Sequence, residues 1–240
     1  MRSESIIKLE NIWKIYQLGK VKLTVLKGIN LEIAPGSFVV ILGPSGSGKS
    51  TLLHIIGLLD TPTIGKVFLK DEDTSQLSED ELAQIRGKKI GFIFQQFNLL
   101  PNLTALENVM IPMVFQGITE KERAEKAEFL LESVGLKERI LHRPFELSGG
   151  EQQRIAIARS LSNNPEVIVA DEPTGNLDST TGQKIMETLI NLHEKEQKTM
   201  IVVTHDPSIA DYSKQIINIK DGRLVSNNLV TEEVLWKGKK

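Results

Sequence analysis

Short apolar runs alternate with amphipathic segments along the central part of the chain. Four mostly apolar runs, residues 38–42, 90–94, 167–170 and 198–203, predict buried strands. Helical patterns lie between these runs, beginning with residues 51–58. Strands that alternate with helices in this way are typical of an α/β fold built on a parallel sheet.

The N-terminal part has a different pattern. Residues 6–16 and 21–33 are rich in β-branched and aromatic side chains, which predicts two strands before the α/β part begins. A turn at residues 34–36 leads into the next strand, and a shorter strand is expected at residues 66–70. We therefore expect the chain to open with a β-rich segment.

Residues 97–161 carry helical patterns almost without strands. Thr104 is expected to cap one helix, and Thr119 with Glu122 has the spacing of a capping box for a second helix that ends before Gly135. Most of the charges in this second helix are typical of a solvent-exposed face rather than of a site. The pattern predicts a helical subdomain inserted between strands of the sheet.

Composition narrows the class of protein. The 240 residues are 40% hydrophobic and 25% charged, which is sufficient for a sizeable core in one or two domains. No apolar run approaches the roughly 20 residues that span a bilayer, and residues 1–4 precede no signal-peptide core, so we expect a cytosolic protein. The lack of cysteine excludes disulfides and thiolate metal sites, and 29 basic against 31 acidic residues argue against a nucleic-acid partner.

The segment GPSGSGKS, from Gly43 to Ser50, lies between a predicted strand and a predicted helix. Its glycines permit backbone dihedrals that turn several amide groups toward one anion, and the helix dipole adds positive potential there. Lys49 supplies a mobile charge for the outer phosphates, and the Ser50 hydroxyl is suited to ligate magnesium. An ordinary glycine-rich turn is the alternative, but the complete motif in this context predicts a nucleoside triphosphate site.

Two adjacent acids, Asp171 and Glu172, end the apolar run that begins at residue 167. Consecutive strand residues point to opposite sides of a sheet, so we expect these carboxylates to have different tasks. In phosphoryl transfer, one acid holds hydrated magnesium and another polarises the attacking water. The alternative is a pair of solvated acids at a strand end.

Three further residues lie where a ligand could reach them. Gln95 and His205 each follow a predicted strand of the sheet, where ligands of α/β proteins bind and where a histidine can bond a γ-phosphate. Tyr16 ends the first predicted strand and could stack on a base or fill core. Taken singly, each of these residues is also compatible with an ordinary structural role.

A second helix start attracts attention at Ser148, which precedes Gly149 and Gly150. Two glycines at a helix start reduce stability unless the backbone must approach another group closely. The segment is therefore a second candidate anion site, although a purely structural helix start is equally compatible with it.

The motifs occur in a recognisable order. The phosphate loop, Gln95, LSGGE from Leu147, VIVADE from residue 167, Asp178 and His205 resemble the ATP-binding cassette (ABC) ATPases over residues 6–225. The LSGG string separates that family from other phosphate-loop proteins. GFIFQQFNLLPNLTALENV from residue 91 and ADEPTGNLDS from residue 170 resemble its macrolide-exporter, lipoprotein-release and FtsE-like branch.

The resemblance implies a fold and a set of roles. It implies an α/β phosphate-loop NTPase fold with a RecA-like parallel-sheet core, an N-terminal antiparallel β subdomain and the helical subdomain at about 97–161, within one domain, residues 1–225. It implies ATP hydrolysis with Mg²⁺, with Glu172 as general base, His205 as γ-phosphate sensor, and Lys49 and Gln95 as further catalytic residues. It implies metal ligation by Ser50, Gln95 and, through water, Asp171. The implied nucleotide contacts are Tyr16 on adenine, the cradle residues Gly43, Pro44, Ser45, Gly46, Ser47, Gly48, Lys49, Ser50 and Thr51, and the cross-dimer residues Ser148, Gly149, Gly150 and Asp178.

The implied partners are a second copy of the chain, joined head to tail around two ATP-Mg complexes, and a separate membrane permease that holds the chain at the inner face of the membrane. The alternative is an ABC-type ATPase that is not coupled to transport. A DNA-repair ABC protein would need a long coiled-coil insertion between Gln95 and Ser148, and a translation factor would need two cassettes. Glu151 departs from the glutamine more common in the family. The tail, residues 226–240, has no assigned role.

Overall fold

The computed structural model describes residues 5–229, apart from the side chains of Leu18, Pro207, Ser208 and Asp211. In chain order the strands are β1 Ile7–Leu18, β2 Val21–Ile33, β3 Phe38–Leu42, β4 Ile64–Leu69, β5 Glu72–Asp73, β6 Ile90–Ile93, β7 Val167–Asp171, β8 Thr199–Thr204, β9 Gln215–Lys220 and β10 Arg223–Leu229. The α-helices are α1 Lys49–Ile56, α2 Glu79–Lys89, α3 Ala105–Val114, α4 Glu120–Ser133, α5 Gly149–Leu161 and α6 Ser179–Glu196.

The chain divides into two structural units. The first unit comprises Met1–Ala83 and Gln197–Lys240, and the second comprises Gln84–Glu196. The predicted single domain and its boundaries therefore stay a prediction.

An antiparallel sheet forms the N-terminal part of the first unit, with strand order β2-β1-β4-β5. β1 and β2 are joined by a two-residue loop, in which Gly19 takes a φ of 60°. Such tight loops favour glycine because other residues rarely adopt positive φ. Alternate residues Ile29, Leu31 and Ile33 are buried, as expected for a strand with one face on the core.

The remaining strands of the first unit surround β3. It pairs in parallel with β8 on one side and β9 on the other, and β9 pairs antiparallel with β10. Every residue of β8 is buried, and four of the five residues of β3 are buried. This burial on both faces explains why their sequences are continuous apolar runs rather than alternating ones.

The second unit contains the parallel pair β6 and β7, and helices α3, α4 and α5 contact one another. Thr104 and Thr119 each cap a helix through a complete capping box, with Glu107 and Glu122 as the acidic partners. A cap of this kind contributes about 1 kcal/mol to helix stability. Both predicted helix starts are confirmed.

The predicted strands and helices agree with the structure to within a few residues, but β5, β9 and β10 were not predicted. β10 crosses the predicted boundary at residue 225 and includes the first four residues of the predicted tail. The apolar tail residues Val230, Val234, Leu235 and Trp236 lie outside the described residues.

Candidate functional site

The phosphate loop connects β3 to α1 in the first unit. Gly48 precedes the helix with φ 101°, and no side chain of the described residues caps it. The Ser47 hydroxyl is buried and has no hydrogen-bond partner within the described part of the chain. Lys49 is only 5% exposed and its Nζ donates to the Pro44 carbonyl oxygen at 3.0 Å. The helix start therefore offers unsatisfied donors to an anion.

Two glycines of this loop are required by space. A Cβ at Gly43 would lie 2.3 Å from the backbone oxygen of Ile219, and one at Gly48 would lie 2.9 Å from Leu26. A Cβ at Gly46, in contrast, would meet nothing within 4 Å, although the φ of 76° disfavours any other residue. The loop is thus fixed at its ends and open in its middle.

Tyr16 lies in β1 opposite Leu23 of β2. Its hydroxyl donates to Asp60 Oδ2 at 2.8 Å, and the Nζ of Lys14 lies 4.9 Å from the ring centroid. Burial, together with the hydrogen bond to Asp60, raises the pKa of Tyr16, and a further bond joins its side chain to Thr51 in α1. The ring is held beside the helix that follows the phosphate loop.

Asp60 is the anchor of this arrangement. Burial opposes ionisation of Asp60, but the hydrogen bonds from Lys14 and Tyr16 outweigh it and lower its pKa. The carboxylate therefore remains charged at neutral pH, where it accepts from both side chains.

His205 directly follows β8. The last register pair of β3 and β8 is Leu42 with Thr204, so Gly43 and His205 leave the sheet at the same edge. The His205 side chain is exposed. The structure thus brings the phosphate loop and His205 to neighbouring strand ends, as the sequence predicted.

The second unit has a corresponding edge at β6 and β7. Ile93 pairs with Ala170, so Gln95 and Asp171 follow paired positions. Glu172 lies beyond the end of β7 and has a φ of 44°. Strand alternation therefore does not apply to Glu172, and the predicted opposition of the two acids fails because the backbone turns between them. A left-handed glutamate costs about 1–3 kcal/mol and is typical of functional sites.

The loop after Glu172 is held by two glutamines. Gln153 is buried, and its Nε2 donates to the Pro173 carbonyl oxygen at 2.7 Å. Gln95 lies against the same loop: its carbonyl oxygen accepts from Asn176 Nδ2 at 2.9 Å, and a Cβ at Gly175 would lie 2.6 Å from Gln95 Nε2. Gln95 and the loop from Glu172 to Asn176 thus form one packed arrangement.

Ser148 begins α5 with a capping box. Its Oγ accepts from the Glu151 backbone N at 3.3 Å, and the Glu151 carboxylate accepts from the Ser148 backbone N at 2.8 Å. A Cβ at Gly150 would lie 2.5 Å from the Thr181 side chain in α6. Glycine at position 150 is therefore required by the packing of two helices, in addition to any contact with a ligand.

Asp178 precedes α6, and its Oδ1 accepts from the Thr181 backbone N at 3.0 Å. Hydrogen bonds from the Thr181 side chain and backbone lower the pKa of Asp178. Asp178 thus has a local capping role in this chain, and the cross-dimer role predicted for it is a separate matter.

Comparison with known proteins decides the family. The ABC transporter family model matches residues 26–175, which is more than half of the chain. An uncharacterised ABC transporter ATP-binding protein of Thermotoga maritima is 54% identical over 221 residues, covering 92% of this chain and 94% of the relative. The chain belongs to the ABC transporter family. It is an ATP-binding subunit of this family and an ATPase.

Two further relatives place this ABC ATPase more closely. A solved dimeric structure of the cassette MJ0796, bound to ADP and Pi, has a TM-score of 0.87 and 49% identity, covering 94% of this chain and 99% of that one. The macrolide export ATP-binding/permease protein MacB of Syntrophobacter fumaroxidans is 48% identical over 219 residues. This chain spans 31% of the length of that MacB protein. The predicted fold class and the predicted branch of the family are confirmed.

No helix within residues 5–229 of this ABC ATPase has the length and apolar character needed to cross a membrane. The individual roles predicted for the site residues stay predictions.

Sequence reasoning missed four supporting residues of the ABC ATPase: Lys14, Asp60, Arg139 and Gln153. Gln153 carried a weak signal, since a polar residue occupies the buried face of α5. Asp60 and Arg139 carried none, because their partners lie 44 and 12 positions away.

Proposed function

We propose that two copies of this chain enclose two ATP-Mg complexes and that ATP hydrolysis drives a membrane permease of the macrolide-export or lipoprotein-release type. The observation that carries the proposal is the helix start at α1, where a buried Ser47 hydroxyl and the uncapped amides after Gly48 fit a triphosphate. The dimeric structures of MJ0796 support assembly by two copies of one chain.

Glu172 is the proposed general base. Its position directly after Asp171 suits a pair in which one carboxylate serves a metal and the next serves water. Its strained backbone, held by the Gly175 backbone N at 3.0 Å from the Glu172 carbonyl oxygen, fixes where the carboxylate begins. Removal of a positioned general base lowers turnover by about 10² to 10⁴.

Magnesium would be held by oxygen ligands from several sources. The described residues contain no group of three acidic or histidine side chains that could hold a metal ion alone. The Ser50 hydroxyl, the Gln95 amide and, through water, Asp171 fit the preference of Mg²⁺ for a few protein oxygens beside phosphates and waters. The ion would neutralise charge that develops on the phosphates.

A hydrolysis-blocked variant tests both the base and the assembly. Glu172→Gln should bind ATP normally, lower turnover by about 10²-fold or more, and sediment as a dimer only with ATP. Lys49→Ala is the matched control, since it should lose ATP binding itself. Turnover near the wild-type rate would assign the base to another residue, and a monomer at saturating ATP would overturn the assembly.

The permease is proposed to contact the segment 95–115. None of its apolar residues Phe97, Leu99, Leu100, Leu103, Val114 and Phe115 is buried, and Leu100 and Phe115 are 48% and 82% exposed. These side chains are available to a partner, and Gln95 at the start of the segment lies against the loop after Glu172. A shift of this loop on hydrolysis would reach the segment directly.

Leu100→Glu tests this contact, with Phe129→Glu in α4 as a control of similar kind. Permease coupling requires that Leu100→Glu abolish stimulation of the ATPase in membranes while basal turnover and thermal stability stay unchanged. Full stimulation of Leu100→Glu would place the permease elsewhere. Lack of stimulation of the wild type by every permease encoded with it would favour the alternative, an ABC ATPase that is not coupled to transport.

A further inference from the structure

An ion pair lies beside the start of α5 and has no role in the function proposed above. Arg139 Nε is 3.3 Å from Glu151 Oε1, and the other carboxylate oxygen, Oε2, accepts from the Ser148 hydroxyl at 2.7 Å. One carboxylate thus connects Arg139 to the hydroxyl that begins α5. The Glu151 side chain is 21% exposed and the Arg139 side chain 49%.

The Ser148 hydroxyl has one proton to donate. In the structure it donates that proton to Glu151, whereas contact with a phosphate oxygen would require the same proton. The Glu151 carboxylate also places a negative charge at a helix end that would otherwise attract an anion. By itself, Glu151 therefore opposes binding of a triphosphate at Ser148 in two ways.

Arg139 is well placed to offset this opposition. It ends a single-turn 3-10 helix, Lys137–Arg139, whose preceding residue Leu136 is buried. The next residues are tied to the start of α3, because the Ile140 and His142 carbonyl oxygens accept from the Leu106 and Ala105 backbone N atoms at 2.9 and 2.8 Å.

Other cations and neighbours near this pair are few among the described residues. Arg139 Nη1 lies 3.2 Å from His142 Nε2, which gives the guanidinium a second point of contact. Hydrogen bonds from Ser148 lower the pKa of Glu151, and the charges of Arg139 and Arg154 act in the same direction. The carboxylate is therefore ionised at neutral pH.

We propose that Arg139 is a positioning residue that holds and neutralises Glu151, so that the Ser148 hydroxyl can turn to a phosphate oxygen of ATP bound by a second copy of the chain. The proposal rests on the two-copy assembly proposed above. Neutralisation by Arg139 weakens the hold of the carboxylate on the hydroxyl proton and restores positive potential at the helix end. No bond is made or broken, and no group is transferred.

A double-mutant cycle in the full-length Glu172→Gln chain tests the proposal. ATP is titrated and dimer formation is measured by sedimentation, while ATP binding by the monomer is measured separately at low protein concentration. Arg139→Gln should raise the ATP concentration for half-maximal dimer formation by about three- to fivefold, the scale of a part-exposed charge pair. Monomer binding should be unchanged.

Two further variants separate positioning from general structure. In the Glu151→Gln background, Arg139→Gln should have no effect, because no charge remains to be neutralised. Arg139→Lys should restore most of the wild-type behaviour. Lys137→Gln is the matched control: it removes a positive charge from the same turn, where Lys137 pairs with Glu132 at 2.7 Å, and it should leave the midpoint unchanged.

The outcomes are distinct. An equal penalty for Arg139→Gln with Glu151 and with Gln at that position would overturn the role of Arg139, as would an effect no larger than that of Lys137→Gln. A parent chain that forms no dimer with ATP would overturn the two-copy assembly together with this role. A dimer whose midpoint ignores Arg139 would overturn the role alone.

Discussion

The starts of α1 and α5 differ although both follow glycine-rich or serine-glycine segments. α1 begins after Gly48 without a side-chain cap and without an acidic residue in its first turn. α5 begins with a complete capping box, in which Glu151 lies in the first turn and Ser148 is already bonded. One helix start is open to an anion, whereas the other must exchange an internal bond for an external one.

This difference suits two different tasks. An open helix start can bind a triphosphate in the isolated chain, because its amides lose nothing but water. A capped start gains only the difference between its cap and the new ligand, so its contact is weaker and easily reversed. Binding at α1 and reversible closure at α5 are the properties that an ATP-dependent dimer needs.

The largest expected effect comes from blocking the capped start. Ser148→Arg should abolish the ATP-dependent dimer of the Glu172→Gln chain, because a long side chain replaces a small hydroxyl where a second copy would approach. ATP binding by the monomer should persist, since α1 is untouched. Sedimentation and nucleotide binding on the same samples check both parts, and a dimer that survives would assign the contact to other residues.

The next effect comes from breaking the open start. Lys49→Ala removes a buried ammonium whose Nζ now donates to the Pro44 carbonyl oxygen. Loss of a charged hydrogen-bond donor costs about 1.5–3 kcal/mol, so monomer affinity for ATP should fall by about 10- to 100-fold. Equilibrium nucleotide binding measures it. A change confined to turnover, with affinity intact, would contradict the proposed ground-state contact.

The smallest effect sharpens the comparison through pH. Hydrogen bonds from the Ser148 side chain and backbone lower the pKa of Glu151, so its contribution to stability is present above the unfolded value of 4.5 and is lost as pH falls through the lower folded value. Glu151→Gln should therefore reduce the free energy of unfolding at neutral pH by no more than about 1 kcal/mol, and the difference from wild type should shrink below about pH 4.

Urea unfolding of both chains at the two pH values measures this difference. α1 supplies no corresponding contribution because its first turn contains no acid. A gap between wild type and Glu151→Gln that stays constant with pH would mean that packing, and not the charge of Glu151, stabilises the start of α5.

Features defined by neighbouring residues were predictable. α3 runs from Ala105 to Val114 as predicted, because the capping box of Thr104 and Glu107 specifies its start locally. β3 and β7 were predicted from uninterrupted apolar runs. β9 and β10 were missed, since β9 mixes polar with apolar residues and β10 is largely exposed. Their pairing is decided by contact with β3 and with each other, which the sequence does not display.

The chemistry of the candidate site divides in the same way. The amino-acid sequence by itself determined the phosphate loop, the acids after β7 and the family, because each depends on residue types at fixed short spacing. Only the tertiary structure decided the left-handed backbone of Glu172, the need for glycine at position 150 and the pairing of Arg139 with Glu151. These depend on groups brought together by folding, where steric exclusion and electrostatic attraction act over distance in space rather than along the chain.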